Sequence, residues 1–189
     1  MRTIKVTKYK KSEQNEFEDV PPIITEPREN VYQWRMPTTR EQVHYLSARA
    51  IETIGVIKKI IREVGKIEKL QCLVFSINQQ NAQHLVRLKN AGLIGEIELT
   101  CSTIKNRAEN ENVRSYKILL KENGIKMNFA YSHAKITLAK TAKDYFVVET
   151  SANLVNSAKY EQFVISNNKP LYDYYNRQIQ RINDTSPVR

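Results

Sequence analysis

The sequence predicts an α/β sandwich in which a central mixed β-sheet carries helices on both faces. Strand-length apolar segments alternate with helical segments in the first half of the chain, the order that builds a sheet covered by helices. Between residues 125 and 165, four strand-like segments follow one another with no helical segment between them. This crowding indicates antiparallel neighbours at that end of the sheet.

The first 45 residues are predicted to form an extended N-terminal arm, and residues 46–189 the folded domain. The stretch 12–30 holds three prolines and many charges, and it shows neither a helical nor a strand period. Apolar residues recur in it and beyond, ending with Trp34 and Met36. The arm therefore either lies along the body or a partner chain, or is a partly ordered tail.

The elements of the first half follow from apolar spacing. Residues 40–64 show helical spacing, with an apolar stripe formed by Ile54, Ile57, Ile61 and Val64. The continuous apolar run 70–77 is typical of a strand covered on both faces. A helix is predicted for 81–91, with Gly92 at its end, and an alternating strand for 94–101.

The second half begins with a polar loop at 102–113 and a helix at 114–122. The four crowded strands are predicted at 125–131, 133–139, 145–149 and 162–165. A last helix runs from Asn168, a good N-cap, to residue 182, with Pro170 in its first turn.

The charge distribution indicates a polyanionic partner. The chain has a net charge of +10, and residues 46–189 hold 22 Lys and Arg against 13 Asp and Glu, a balance of +9. The excess positive charge thus lies in the domain. It favours nucleic acid as the partner, with an anionic lipid as the second choice.

Several classes of protein are disfavoured. The longest apolar runs are far shorter than the roughly 20 residues of a membrane span. No apolar region follows the basic N-terminus, so we expect no signal peptide. Cys72 and Cys101 lie in apolar segments and are expected to be free thiols of a cytoplasmic protein. No zinc-ligand spacing is present.

Two short motifs carry the chemistry. His133 and Lys135 are two residues apart, so on the predicted strand they share a face with Thr137. An imidazole beside an ammonium suits a phosphate, because lysine supplies a point charge and histidine a nucleophile or proton carrier. Ser151 and Asn153 follow the next strand and add a hydroxyl and an amide that can hydrogen-bond phosphate oxygens.

The combination resembles the signature of the phospholipase D superfamily, which is His-x-Lys, an Asp further along, and then Gly-Ser-x-Asn. The matching residues are HAK at 133–135 and TSAN at 150–153. Glu161 resembles the family's acidic residue at the head of the next core strand. The resemblance implies a phospholipase D-like sandwich, and it is nearest to small bacterial and phage members with one motif per chain, several of them nucleases.

The resemblance also implies a mechanism. Two chains would form a homodimer with one shared active site, in which one His133 attacks phosphorus and the other protonates the leaving oxygen. Lys135 and Asn153 would hold the non-bridging oxygens, with Ser151 assisting, and Glu161 would fix the tautomer of His133. No metal or cofactor is implied. The implied protein is a metal-independent phosphodiesterase, a hydrolase acting as an endonuclease on nucleic acid, with DNA favoured over RNA.

Two departures leave an alternative open. The family's Asp falls at Lys140, with Asp144 four residues later, and the glycine before the serine is Thr150. The alternative is a non-cleaving nucleic-acid-binding module of the same fold. A phospholipid-hydrolysing enzyme is a minor alternative, since no amphipathic anchor is evident. A third reading is an α/β protein that binds a small anion.

Other polar and aromatic residues receive structural interpretations. His44 and His84 are expected to be solvated or structural, and Arg107 and Arg114 to keep the predicted loop soluble. The tyrosines of the last helix are expected to pack it against the sheet, with base stacking as the alternative. They are Tyr172, Tyr174 and Tyr175.

Overall fold

A computed structural model describes residues 23–24, 30–47, 51–103, 111–155 and 160–185. Within these residues the chain forms eight strands and four α-helices. The strands are β1 (Ile23–Ile24), β2 (Gln42–Leu46), β3 (Ile67–Val74), β4 (Ile94–Ser102), β5 (Lys126–Ala130), β6 (Ile136–Lys140), β7 (Tyr145–Thr150) and β8 (Gln162–Asn167). The helices are α1 (Thr53–Val64), α2 (Gln79–Asn90), α3 (Glu111–Glu122) and α4 (Lys169–Thr185), and a 3-10 helix spans Val31–Gln33.

The described strands form one mixed sheet in the order β1-β2-β8-β7-β6-β3-β4-β5. Strands β3, β4 and β5 are parallel and are joined by the crossover helices α2 and α3. Strands β6, β7, β8 and β2 pair antiparallel with one another, and β6 joins the two halves by pairing antiparallel with β3. The predicted mixed sheet is confirmed, and its parallel strands β3, β4 and β5 precede the antiparallel β6, β7 and β8 in the chain.

Helices cover both faces of the sheet. On one face, Ile57 of α1, Leu85 of α2 and Leu120 of α3 are fully buried in the main core with strand residues such as Leu70. On the other face, α4 packs in a second cluster that contains Leu73, Leu138, Val147, Tyr172 and Ile179. The alternation of buried residues along β3, with Leu70 on one face and Leu73 on the other, is that of a strand covered on both sides.

The N-terminal side of the domain differs from the prediction. Residues 42–46 form a strand that pairs antiparallel with β8, and α1 begins only at Thr53, so the helix predicted from residue 40 is wrong over its first part. The reason is local: Val43 and Tyr45 are buried while Gln42 and His44 are half-exposed, the two-residue period of a strand.

The core also extends across the predicted boundary between residues 45 and 46. Trp34 is 1% exposed, and its ring stacks on Tyr45 with centroids 4.3 Å apart and meets Phe163 edge-on at 5.0 Å. Residues 30–47 therefore pack on the body of their own chain. Residues 1–22 and 25–29 of the predicted arm lie outside the described residues. In the described part of the chain, no helix is long and apolar enough to cross a membrane.

Candidate active site

The predicted site residues meet at one end of the sheet. Strand β6 runs antiparallel to both β3 and β7, and β8 runs antiparallel to β7. The carboxyl ends of β3 and β7 therefore lie beside the amino ends of β6 and β8. We call the group at this end the strand-end site, and its members are His133, Lys135, Ser151, Asn153 and Glu161.

His133 and Lys135 contact each other, although the strand predicted from residue 133 begins only at Ile136. Lys135 Nζ lies 3.2 Å from His133 Nδ1 and donates to the His133 carbonyl oxygen at 2.9 Å. The Lys135 backbone still pairs with β7, since its carbonyl accepts from the Thr150 amide at 3.2 Å, while the amide of Ala134 donates to Ser132 Oγ at 3.2 Å. The histidine and lysine therefore lie together immediately before β6.

Thr137, expected on the same face as this pair, is buried within β6. It is 1% exposed, and its hydroxyl lies 3.7 Å from Cys72 Sγ in the core. Burial raises the pKa of the Cys72 thiol to about 12, so it is an inert thiol. Both cysteines are free, as predicted.

Phe75, directly after β3, supports the imidazole. Its ring centroid lies 4.7 Å from that of His133, and Lys135 Nζ lies 5.9 Å from the Phe75 centroid. Asn153 holds this residue in place, because its side-chain oxygen accepts from the amides of Phe75 at 3.0 Å and Ser76 at 3.3 Å. With its oxygen engaged, Asn153 has its NH2 group for contact with an anion.

Ser151 and Glu161 form the other side of the strand-end site. Ser151 Oγ donates to Glu161 Oε2 and accepts from the Gln162 amide at 3.0 Å. The backbone of Glu161 is tied to the end of β2, since its amide donates to Ser47 Oγ at 2.7 Å and its carbonyl accepts from the Ser47 amide at 2.9 Å. The expected partner of Glu161 is His133; in this single chain, its carboxylate contacts Ser151.

Glu161 also acts on Lys135 through its charge. Partial burial lowers the pKa of the Lys135 ammonium from its ordinary value, and the Glu161 carboxylate acts in the opposite direction. Desolvation disfavours the charged form of a lysine, and a nearby carboxylate favours it. An anionic ligand beside Lys135 would therefore favour the charged form of this lysine.

The departures from the motif leave this geometry intact. Thr150 donates from Oγ1 to the Gln162 carbonyl at 2.8 Å and accepts from the Ala152 amide at 2.9 Å, so its hydroxyl stabilises the turn. Lys140 lies at the far end of β6, where it pairs with Glu68 at 2.9 Å. Asp144 lies near that end too and accepts from Asn167 at 2.7 Å.

The remaining candidates lie away from the strand-end site or serve the packing. His84 on α2 lies 3.4 Å from Lys58 Nζ, and His44 lies in β2, beside Gln42. Tyr172 is buried under α4, as predicted, and Tyr175 donates to Glu149 at 2.5 Å. Arg114 is exposed on α3, Tyr174 is 46% exposed, and Arg107 lies outside the described residues.

Sequence reasoning missed several residues at this end. Phe75 and Ser47 carry no motif and become visible only through their contacts. Two exposed tyrosines, Tyr131 and Tyr160, also lie here. An open depression of about 430 Å³ adjoins Ser151 and is lined by Gln42, Glu149, Thr150, Ser151, Gln162 and Val164. Among the described residues, no group of three or more His, Cys, Asp or Glu is placed to hold a metal ion.

The architecture matches solved structures. Nuc from Salmonella typhimurium, a phospholipase D family member, superposes with a TM-score of 0.56 at 13% identity, covering 77% of this chain and 95% of Nuc. The chain has a phospholipase D-type fold. Polyphosphate kinase from Porphyromonas gingivalis matches with a TM-score of 0.55 at 15% identity, covering 77% of this chain and 27% of the kinase. No family model and no curated protein matches the sequence.

The phospholipase D-type fold confirms the predicted fold class. At these identities the likeness concerns the arrangement of strands and helices. The chemistry of the strand-end site therefore has to be argued from its own residues.

Proposed function

We propose that the protein is a metal-independent phosphodiesterase that cleaves nucleic-acid phosphodiester bonds through a phosphohistidine at His133. The observation that supports this is the contact between His133 and Lys135 at the end of the sheet. Both chemical roles that the reaction needs, a nucleophile and a fixed positive charge, are present in one contact.

The proposed reaction has two steps. Lys135 and Asn153 hold the non-bridging oxygens while a nitrogen of His133 bonds to phosphorus and the bond to the leaving oxygen breaks. The partner subunit's His133 donates a proton to that oxygen. It then takes a proton from water, whose hydroxyl displaces His133 from phosphorus and restores the protein.

The contact with Lys135 affects the protonation of His133, and therefore its roles as nucleophile and as proton donor. An ammonium 3.2 Å from Nδ1 makes that nitrogen an acceptor, which places the proton of a neutral imidazole on Nε2. A proton donor needs the imidazolium, in which both ring nitrogens carry a proton, so in the donor copy the Lys135 ammonium has to leave Nδ1 for the bound phosphate. In the copy that acts as nucleophile, a bound phosphate would draw the Lys135 ammonium to itself and release the Nδ1 lone pair.

Charge supports nucleic acid as the substrate, with DNA favoured over RNA. The balance of +9 over residues 46–189 attracts a polyanion along its length, whereas a single lipid headgroup needs no such field. The non-cleaving module loses its main support, because Lys140 lies far from the strand-end site and Thr150 is accommodated at the turn.

The test is cleavage in the presence of EDTA. The purified protein is incubated with plasmid DNA and with a chromogenic phosphodiester, and acid-labile, alkali-stable phosphate on His133 is sought by peptide mapping after rapid quenching. Cleavage with such an adduct supports the proposal. Salt-sensitive DNA binding without cleavage of either substrate would show a binding module instead.

A shared active site makes a quantitative prediction about mixed dimers. One chain carries one His-x-Lys motif, so we propose that two copies meet with their His133 rings across one cleft. Wild-type and His133→Ala chains are mixed in equal amounts and allowed to exchange. If one site needs both histidines, the mixture retains a quarter of the activity of wild type at the same total protein concentration. Independent sites retain half.

The control for this mixture is His84→Ala, which replaces a histidine on α2 that contacts Lys58. Its mixtures are expected to retain full activity. Sedimentation of the wild type as a monomer at micromolar concentration would contradict the shared site.

Glu161→Gln is expected to move the alkaline limb of the pH profile to lower pH. Lys135 must be charged to hold phosphate, so kcat/KM falls as pH rises through its pKa, which burial already places below that of an ordinary lysine. The Glu161 carboxylate raises this pKa, and a neutral amide removes that influence. The measurement is kcat/KM between pH 6 and pH 11.

Glu149→Gln is the matched control, since its carboxylate lies on β7 near the same end and accepts from Tyr175. We expect the alkaline limb of the Glu149→Gln pH profile to stay close to that of the wild type. An upward or absent shift in Glu161→Gln would mean that Lys135 does not set the limb.

A further inference from the structure

We infer that the strand-end site takes unpaired nucleic acid, whose bases stack on Tyr131 and Tyr160 at either side of the reacting phosphate. This inference rests on the proposed function and names its substrate class. Its basis is the placement of two exposed aromatic rings on opposite sides of the pair formed by His133 and Lys135.

The two rings are unusually open to solvent. Tyr131 is 81% exposed and Tyr160 is 71% exposed, whereas the other exposed large hydrophobic side chains in the described part of the chain reach 48% at most. Two tyrosines that serve packing, Tyr45 and Tyr172, have only 2% and 4% exposure. Exposed aromatic rings beside positive charge are the stacking surfaces that proteins binding single-stranded nucleic acid use.

The topology places these rings on opposite sides of the histidine. Tyr131 directly follows β5, and Tyr160 comes two residues before β8. His133 packs on Phe75 at the end of β3, which lies between β8 and β5 in the sheet order. Five strand spacings separate β8 from β5, so the strands that carry the tyrosines are about 24 Å apart, and the strand beside the histidine lies between them.

The residues of the strand-end site and the two tyrosines form a row across the ends of the strands. Along it come Tyr160 and Glu161, then Ser151, then Lys135 and His133, and finally Tyr131, so the phosphate-binding groups lie between two aromatic rings. A single strand several nucleotides long spans such a distance with its backbone on Lys135 and its bases on the rings. In a duplex the base faces are hidden in the stack, so only unpaired bases can use both rings.

The test uses His133→Ala protein, which binds without cleaving, and three labelled 12-mers: a single strand, its duplex, and a single strand with abasic sites. We expect the single strand to bind most tightly. Tyr131→Ala and Tyr160→Ala should each weaken that binding by roughly 5- to 150-fold, the range for loss of one stacked base. The abasic strand should bind equally to all variants, and Tyr→Phe at either position should restore binding.

Tyr32→Ala is the matched control. Tyr32 is 42% exposed and faces Arg62 at the far end of α1, so its loss should leave binding unchanged. Equal binding of the abasic and base-bearing strands, or tighter binding of the duplex, would overturn the stacking inference. Cleavage of single strand or duplex by wild type would still support the proposed function. Absence of any cleavage by wild type would overturn the proposed function alone.

A change in oligomeric state would also overturn the stacking inference. If Tyr131→Ala or Tyr160→Ala converts a dimer to a monomer in sedimentation, that ring belongs to the contact between copies of the chain. Unchanged sedimentation together with weakened single-strand binding supports stacking.

Discussion

His133→Ala is expected to lower kcat/KM for phosphodiester cleavage by about 10⁴-fold or more, the scale seen when a catalytic nucleophile is removed. The loss is large because the same side chain serves twice in the proposed dimer, as nucleophile in one copy and proton donor in the other. The measurement is the initial rate on a chromogenic phosphodiester in EDTA, with plasmid cleavage as a second readout.

The structure allows this loss to be separated from misfolding. His133 is exposed, and its ring contacts Phe75 at the surface end of the sheet, so its removal should leave the unfolding midpoint close to that of the wild type. His84→Ala, which removes a half-buried histidine from α2, should retain wild-type rates. A His133→Ala rate within about tenfold of wild type would be inconsistent with a phosphohistidine intermediate.

The fold was predictable because its core strands and helices carry clear periods. The continuous apolar run of β3 and the alternating β4 are each decided by residues that are close in sequence. The same holds for α4, whose start at Asn168 follows from a side chain that accepts from the Leu171 amide at 3.0 Å.

The N-terminal strand was missed for a physical reason. The segment 40–52 precedes a strong helical stripe and contains apolar residues at spacings that fit a helix as well as a strand. What decides in favour of β2 is the antiparallel pairing of Val43 with Ile165 and of Tyr45 with Phe163, residues far away in the chain. Local spacing holds no information about such a partner.

The strand-end site was predictable in its residue types and not in its shape. The motif identified His133 and Lys135, but the pair precedes β6, where the Ala134 amide donates to Ser132 Oγ, and does not lie on the strand as predicted. Tyr131 and Tyr160 stand next to predicted site residues in sequence and carry no motif signal, and Phe75 and Ser47 come from other segments of the chain. Their place beside the motif follows from the order of the strands, which a single sequence does not state.

Trp34→Ala is expected to cost about 3–5 kcal/mol in the free energy of unfolding, the range for removing a buried aromatic side chain. Trp34 is 1% exposed and stacks on Tyr45, which lies on β2, while its edge meets Phe163 on β8. Its removal leaves a cavity between the N-terminal segment and the sheet, and the two strands lose the ring that they share. The measurement is equilibrium urea denaturation followed by far-ultraviolet circular dichroism.

The effect should extend to the strand-end site, because β2 continues into Ser47, which holds both backbone groups of Glu161. At temperatures where Trp34→Ala is still folded, we therefore expect it to lower kcat/KM as well. Tyr32→Ala, two residues away but 42% exposed, should change stability by no more than about 0.5 kcal/mol and leave activity unchanged. A cost below about 1 kcal/mol for Trp34→Ala would mean that residues 30–47 unfold separately from the sheet, since a tryptophan enclosed by a cooperative core cannot be removed so cheaply.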